Sequence, residues 1–199
     1  MPKTIDYFFT PVSPWSYFGH TRFVALAAKH GATVVPKLMD FGPVFAVSGG
    51  LPLAKRPPQR LAYRLAELKR WREYLGIPLN VQPKFFSSSG ESGTKWILAA
   101  AERSTGVALD LAFAIMRARW AEDRDIADDA TLAAIATALG QDAKALAARA
   151  DDPEIAARHA AITQEAIDRQ VFGAPTYIYR DELFWGQDRL DFLDRALAK

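Results

Sequence analysis

The chain has 199 residues, 50% hydrophobic and 24% charged, with a formal net charge of +2 and no cysteine. That is enough chain for one sizeable core, or for a core with an inserted subdomain. The small charge argues against nucleic acid or a membrane surface as partner, and without cysteine there is no disulfide, thiolate metal site or self-contained redox chemistry.

Residues 3–9 read as a strand rich in Ile, Tyr and Phe. Residues 14–29 read as a helix: Pro14 suits the first helical position, where its missing N–H costs nothing, and Gly31 stands just past the end as a cap. Thr33 to Met39 is a second strand, with β-branched valines and a proline, Pro36, that places it at a sheet edge. A strand, helix and strand of these lengths make a right-handed βαβ unit. Pro57 to Leu75 carries apolar residues at helical spacing and ends at Gly76-Ile77-Pro78. Residues 79–91 read as a loop. Helices are expected over 94–104, 109–120, 129–139 and 142–149. Another runs from Asp152-Pro153-Glu154 to about Gln170, opening on a cap, a first-turn proline and an acid. Thr176 to Arg180 and Leu183 to Trp185 read as a hairpin turning at Asp181-Glu182, and Gly186-Gln187-Asp188 leads into a last helix.

The order is βαβ, a helical block, then a hairpin and helix: an α/β domain with a large helical insertion. The expected parts are 1–43 and 166–199 for the α/β domain and 44–165 for the insertion. The start Met1-Pro2-Lys3-Thr4-Ile5-Asp6 lacks the apolar segment of a signal peptide, and no apolar run approaches membrane-spanning length. A soluble cytoplasmic protein is the expectation. No His/Asp/Glu cluster shows ligand spacing, so no metal site is expected.

Ser13-Pro14-Trp15-Ser16-Tyr17 stands where the first strand turns into the first helix. Serine is a favoured N-cap, so Ser13 reads first as a structural residue. A nucleophilic reading needs a base, because a serine hydroxyl does not titrate near neutrality and a helix N-terminus supplies at most about 2 kcal/mol. The histidines are His20, His30 and His159, none at motif spacing, and no Gly-x-Ser-x-Gly elbow is present. The remaining functional reading is a donor: a hydroxyl at a helix N-terminus can hold a thiolate and lower its pKa. The thiol would have to arrive with a ligand. Near the other end, Val171-Phe172-Gly173-Ala174-Pro175-Thr176 precedes a strand, where the X-Pro bond is a candidate cis peptide.

Together these segments resemble the thioredoxin fold, with Ser13-Pro14-Trp15-Ser16 as its C-x-x-C helix start with serine in place of cysteine, and Ala174-Pro175-Thr176 as its cis-proline loop. The helical insertion is that of DsbA-like members. The match narrows with Phe184-Trp185-Gly186-Gln187-Asp188-Arg189-Leu190, Pro58-Gln59-Arg60-Leu61-Ala62-Tyr63 and Arg119-Trp120-Ala121-Glu122-Asp123-Arg124-Asp125-Ile126. With them the chain resembles, over nearly its whole length, the 2-hydroxychromene-2-carboxylate isomerases and their kappa-class glutathione transferase relatives.

The resemblance implies glutathione as cofactor, a small aromatic substrate and a homodimer. It implies that Ser13 hydrogen-bonds the glutathione sulfur and that Ala174, before Pro175, pairs its backbone with the cysteinyl part. Gln187 and Asp188 fall where the γ-glutamyl end is held, and Arg60 where a lysine helps bind the tripeptide; Arg60 also reads as a candidate for the substrate carboxylate. Trp15, Tyr17, Phe41 and Phe85 are candidate aromatic pocket residues, and core packing is the competing role for each. Arg60 belongs to a cationic set with Lys55, Arg56, Arg64, Lys69, Arg70 and Arg72, whose ordinary reading is a solvated helix face. The sequence departs from the family pattern in several ways, among them Trp15 and Trp185 as bulky variants of positions often held by other aromatics. No asparagine stands near Leu51, Gln170 replaces a glycine, Arg60 replaces lysine, and Gln187 replaces Ser or Asn. Three functions follow: an isomerase in which a thiolate adds reversibly to a conjugated carbon of an aromatic 2-oxo acid, a kappa-type transferase, or a non-catalytic thioredoxin-like domain that binds a peptide or partner.

Overall fold

The computed structural model describes residues 2–199. Strand β1 (Thr4–Phe9), helix α1 (Pro14–Lys29) and strand β2 (Thr33–Leu38) form the expected βαβ unit, with β1 and β2 parallel. Strands β3 (Thr176–Tyr179) and β4 (Glu182–Trp185) complete a four-stranded sheet in the order β2-β1-β3-β4, β3 antiparallel to both its neighbours. Pro36 lies on β2, at the edge, where its missing N–H breaks no ladder bond on the open side.

β1 is covered on both faces, which explains why it reads as a continuous apolar run. Tyr7 and Phe9 stack on one face against His20 and Phe23 of α1 and Tyr177 of β3. Phe8 lies on the other, under the guanidinium of Arg169, which also pairs with Asp6 at 2.6 Å.

Between β2 and β3 every regular element is helical: α2 (Phe41–Ser48), a single 3-10 turn at Leu53–Lys55, α3 (Pro58–Leu75), α4 (Glu91–Arg103), α5 (Thr105–Trp120), α6 (Asp129–Ala138), α7 (Ala143–Ala150) and α8 (Pro153–Asp168). The chain closes on α9 (Leu190–Leu197), which packs on β3 and α1. The buried apolar side chains of the sheet and of the helical block form one continuous cluster.

Three local details differ from the sequence reading. Helix α2 was not expected. It is short, and its signal is Asp40, whose carboxylate caps it by accepting from the Gly42 N–H, with Pro43 in the first turn. The boundary expected at residues 43/44 falls inside it. Helices α4 and α5 abut with only Ser104 between them, so both begin earlier than expected. The hairpin turns at Arg180-Asp181 rather than Asp181-Glu182: Tyr179 pairs with Glu182, and both turn residues have positive φ, 51° and 63°. That conformation matches the twist of the flanking strands, and here it is adopted without glycine.

Gln170 explains one departure. It has φ 59° and follows α8, with its N–H on the Ile167 carbonyl and the Val171 N–H on the Ala166 carbonyl. This is the left-handed C-terminal cap in which glycine is favoured. Gln170→Gly is expected to raise stability by about 0.5–1 kcal/mol, since a Cβ is strained there by slightly more than glycine loses in chain entropy. Urea unfolding of the two proteins checks this; equal or lower stability of the variant would refute it.

Candidate active site

The site begins where β1 ends. Ser13 has extended backbone, φ −90° and ψ 118°, and is only 2% exposed. Its Oγ accepts from the Ser16 N–H at 3.1 Å and donates to the Ala174 carbonyl at 3.3 Å. The cap and the functional reading therefore concern the same atom. One lone pair closes the helix turn, while the proton points across to the loop before β3. Pro14 has no N–H, and Trp15 N–H is the first-turn donor left without a partner among the described residues. The Ser16 hydroxyl is buried and unpartnered.

The loop opposite is Gly173-Ala174-Pro175, with a cis peptide between Ala174 and Pro175. It is clamped from two sides. The Thr176 hydroxyl donates to the Gly173 carbonyl at 2.8 Å, and the Gly186 N–H donates to the Pro175 carbonyl at 2.9 Å. Among the described residues the Ala174 N–H has no acceptor. Ala174 thus presents one amide edge beside Ser13, the arrangement that pairs with an extended backbone.

The loop after β4 adds the next wall. Gly186 has φ 106°, and a Cβ there would stand 2.5 Å from Asp188 Oδ1. Glycine is required so that the Asp188 carboxylate can fold back over it. Asp188 lines the cleft and pairs with Arg189 at 2.7 Å. Gln187 faces inward: it is buried, packs on Gly19, and its Oε1 accepts from Arg22 of α1 at 2.7 Å. Its side chain braces this loop against α1.

These segments line one cleft of about 1080 Å³, closed on the far side by α2, the turn after it, α3 and the loop before α4. Of the aromatic candidates, Trp15 and Phe41 line it, Phe41 stacking on Phe45 at 4.7 Å. Tyr17 does not. It is buried, and its hydroxyl donates to the Pro78 carbonyl at 3.0 Å, so it belongs to the core, as its helical spacing from Pro14 allows. Phe85 does not either: Lys84 lies over its ring, and the neighbouring Phe86 takes the place on the cleft wall. Adjacent loop residues point in different directions, and no periodicity tells which.

The cationic set is divided by the turn of α3. Arg60 and Arg64, one turn apart, line the cleft together with Arg56, whereas Arg70 pairs with Glu67. Burial, then the neighbouring charge of Arg60, lowers the Arg56 pKa. Leu51 stands in the stretch where the asparagine is missing, and its carbonyl accepts from Arg56 Nε at 2.8 Å. Arg119, on α5, entered the sequence reading only as the start of a segment that carries the resemblance, with no role in the site. It is 3% exposed and donates to the carbonyls of Ser88 and Phe86, at 3.0 and 2.5 Å, holding that loop in the cleft wall. Burial lowers its pKa, against the attraction of Asp125. Helix α5 also carries Asp110 and Arg117, so charge alone does not mark Arg119; its place between the buried Ala118 and Trp120 became visible only in the fold.

A four-stranded sheet of this order, a capped helix start facing a cis-proline loop, and a helical insertion define a DSBA-like thioredoxin domain, and the family model of that description matches residues 4–198. The chain belongs to that family and, within it, to the 2-hydroxychromene-2-carboxylate isomerases: it is 30% identical to the enzyme of that name from Sphingobium xenophagum, over 99% of each chain. The solved structure of a 2-hydroxychromene-2-carboxylate isomerase superposes with a TM-score of 0.82 at 27% identity, covering 98% of this chain and 94% of the other. Glutathione S-transferase kappa 1 of Caenorhabditis elegans is 24% identical over 100% of this chain and 93% of its own. Among the described residues no helix is long and apolar enough to cross a membrane, and no group of three His, Asp or Glu side chains could hold a metal ion.

Proposed function

We propose that the chain is a glutathione-dependent isomerase acting on an aromatic 2-oxo acid or its cyclic hemiketal, 2-hydroxychromene-2-carboxylate, as a homodimer. The observation that carries the reading is the Ser13 hydroxyl, buried at the start of α1 and directed at the Ala174 carbonyl in a cleft that has no thiol of its own. The residues present fit glutathione. Asp188 offers a carboxylate to an α-amino group, Arg60 a guanidinium to a carboxylate, and Ala174 an amide edge to the cysteinyl backbone. Gln187 acts through Arg22, by keeping the Asp188 loop in place.

When bound, glutathione supplies a thiolate that adds to a conjugated carbon of the substrate and leaves again unchanged. The chain's part is to keep that thiol ionised and aimed. Ser13 Oγ would hold the sulfur with the proton it now gives to the Ala174 carbonyl, while its lone pair stays on the Ser16 N–H. The Ala174 carbonyl would then be free to accept from the ligand's amide, which would leave no buried group unpaired. The free Trp15 N–H and the positive end of α1 add to the field on the sulfur. Trp15 and Phe41 pack on the aromatic body of the substrate, and Pro175 fixes the orientation of the Ala174 amide.

Calorimetric titration with reduced glutathione tests the reading. Saturable binding is expected for the wild type, weakened about 10- to 100-fold in Asp188→Ala, the range for a lost charge-assisted hydrogen bond. Absence of binding at millimolar glutathione would sink the cofactor assignment and leave the partner-binding reading. The kappa-class relative supports a second reading, a transferase; recovery of a stable conjugate instead of free thiol after turnover would favour it.

A further inference from the structure

Five arginines line the cleft; Arg189 is paired with Asp188 at 2.7 Å, and Glu67, the other carboxylate there, is engaged by Arg70 at 2.6 Å, which leaves four guanidinium groups without a carboxylate, those of Arg56, Arg60, Arg64 and Arg119. A concave, partly dry site with unmatched positive charge favours anions. The four do not stand in the same condition. Arg56 donates to the Leu51 carbonyl, and Arg119 to those of Phe86 and Ser88. Arg60 is exposed in the first turn of α3, at the rim. Arg64 lies one turn deeper, half-buried, and among the described residues its guanidinium has neither a carboxylate nor a carbonyl partner. Burial, then the charge of Arg56, lowers its pKa to about 10, which still leaves it protonated at neutrality.

What holds Arg64 is an aromatic ring. Its guanidinium carbon lies 5.8 Å from the centroid of Phe86. Phe86 is itself fixed, by Arg119 on its carbonyl and by an edge contact to Trp120 at 6.2 Å. A guanidinium seated on an aromatic face keeps its planar fork free for a carboxylate. The same cleft is lined by Phe41, Phe45 and Trp15, whose apolar surface suits a flat hydrophobic body.

We propose that Arg64 is the specificity-determining residue of this enzyme: it holds the carboxylate of the aromatic acid in a subsite separate from the glutathione contacts of Arg60 and Asp188. Phe86 and Arg119 are positioning residues for it. The proposal rests on the isomerase reading above for its reaction, and for its ligand class on the cleft alone. It makes the carboxylate the feature by which substrates are selected.

The test uses the whole chain, as wild type, Arg64→Leu and Arg64→Lys, titrated separately with cinnamate, its uncharged counterpart cinnamide, and reduced glutathione. Cinnamate affinity is expected to fall about 10- to 100-fold in Arg64→Leu and to return in part in Arg64→Lys, with cinnamide and glutathione binding unchanged. With 2-hydroxychromene-2-carboxylate as substrate the change should fall on KM rather than kcat. Unaltered cinnamate binding in Arg64→Leu, or equal binding of cinnamate and cinnamide by the wild type, would overturn the proposal. So would a loss of glutathione affinity alone, which would place Arg64 in the cofactor's contacts. If the wild type bound no glutathione while cinnamate responded as expected, the isomerase reading would fail and the carboxylate subsite would stand.

Discussion

Ser13→Ala is expected to fold, to bind glutathione, and to lose turnover by about 100- to 1000-fold, the range for removing one preorganised donor from a developing or resting anion. The structure separates the two jobs of the hydroxyl. Loss of the bond from the Ser16 N–H uncaps α1 and costs about 1 kcal/mol, little beside a core in which Tyr17, Phe18 and Phe23 of the same helix are buried. Loss of the donor to the sulfur raises the pKa of the bound thiol, so the activity that remains should climb with pH where the wild type is already flat. Thiolate absorbance of the glutathione complex against pH gives the measurement. A thiol pKa identical in the two proteins would remove Ser13 from the chemistry and return it to the role of a cap. Ser13→Thr keeps an oxygen and should retain part of the effect.

Acid is expected to destabilise the fold through His20, by about 3 kcal/mol between pH 7 and pH 4. The imidazole is buried between the sheet and α5. Nδ1 lies 3.2 Å from the Tyr7 hydroxyl and Nε2 3.0 Å from the Leu109 carbonyl, so Nε2 donates and Nδ1 accepts, the neutral form. Burial lowers its pKa to about 4, against a smaller opposing effect of the Leu109 hydrogen bond. Between about 4 and the unfolded value near 6.5 the unfolded chain binds the extra proton, so stability rises with pH through that window. The contribution is complete above it and is lost as pH falls. Urea midpoints at pH 7, 5.5 and 4.5 for the wild type and His20→Gln isolate the term, because titrating carboxylates are common to both. The variant starts less stable, and only the slopes are compared; parallel slopes would remove His20 as the cause. At neutral pH His20 carries no charge, so it contributes no titration to the activity profile.

The βαβ start, the helix of residues 58–75, the closing hairpin and the strand-edge place of Pro36 were legible because each depends on local chemistry: apolar period, proline and glycine stops, and β-branched runs. Ser13 and Ala174-Pro175 each carry a motif tied to a strand boundary, but only the family resemblance joined the two in one site; the bond from the Ser13 hydroxyl to the Ala174 carbonyl belongs to the structure. Helix α2 was not legible, because Gly42 and Pro43 stand in its first turn and Gly49-Gly50 follow it, residues that read locally as loop. The turn at Arg180-Asp181 was displaced by one residue because it uses two left-handed residues without glycine, and strand pairing decided its register.

The chain by itself determined the order of elements and the absence of any thiol. Only the tertiary structure decided which side chains share the cleft. Tyr17 turned to the core and Trp15 to the site although both lie on α1, and Phe86 took the wall in place of Phe85. Arg64, one of seven similar cations, lost part of its solvent and gained a ring. The physical reason is the same in each case. Local sequence sets which conformation a segment adopts, but burial and charge pairing depend on what another segment, distant in the chain, brings against it.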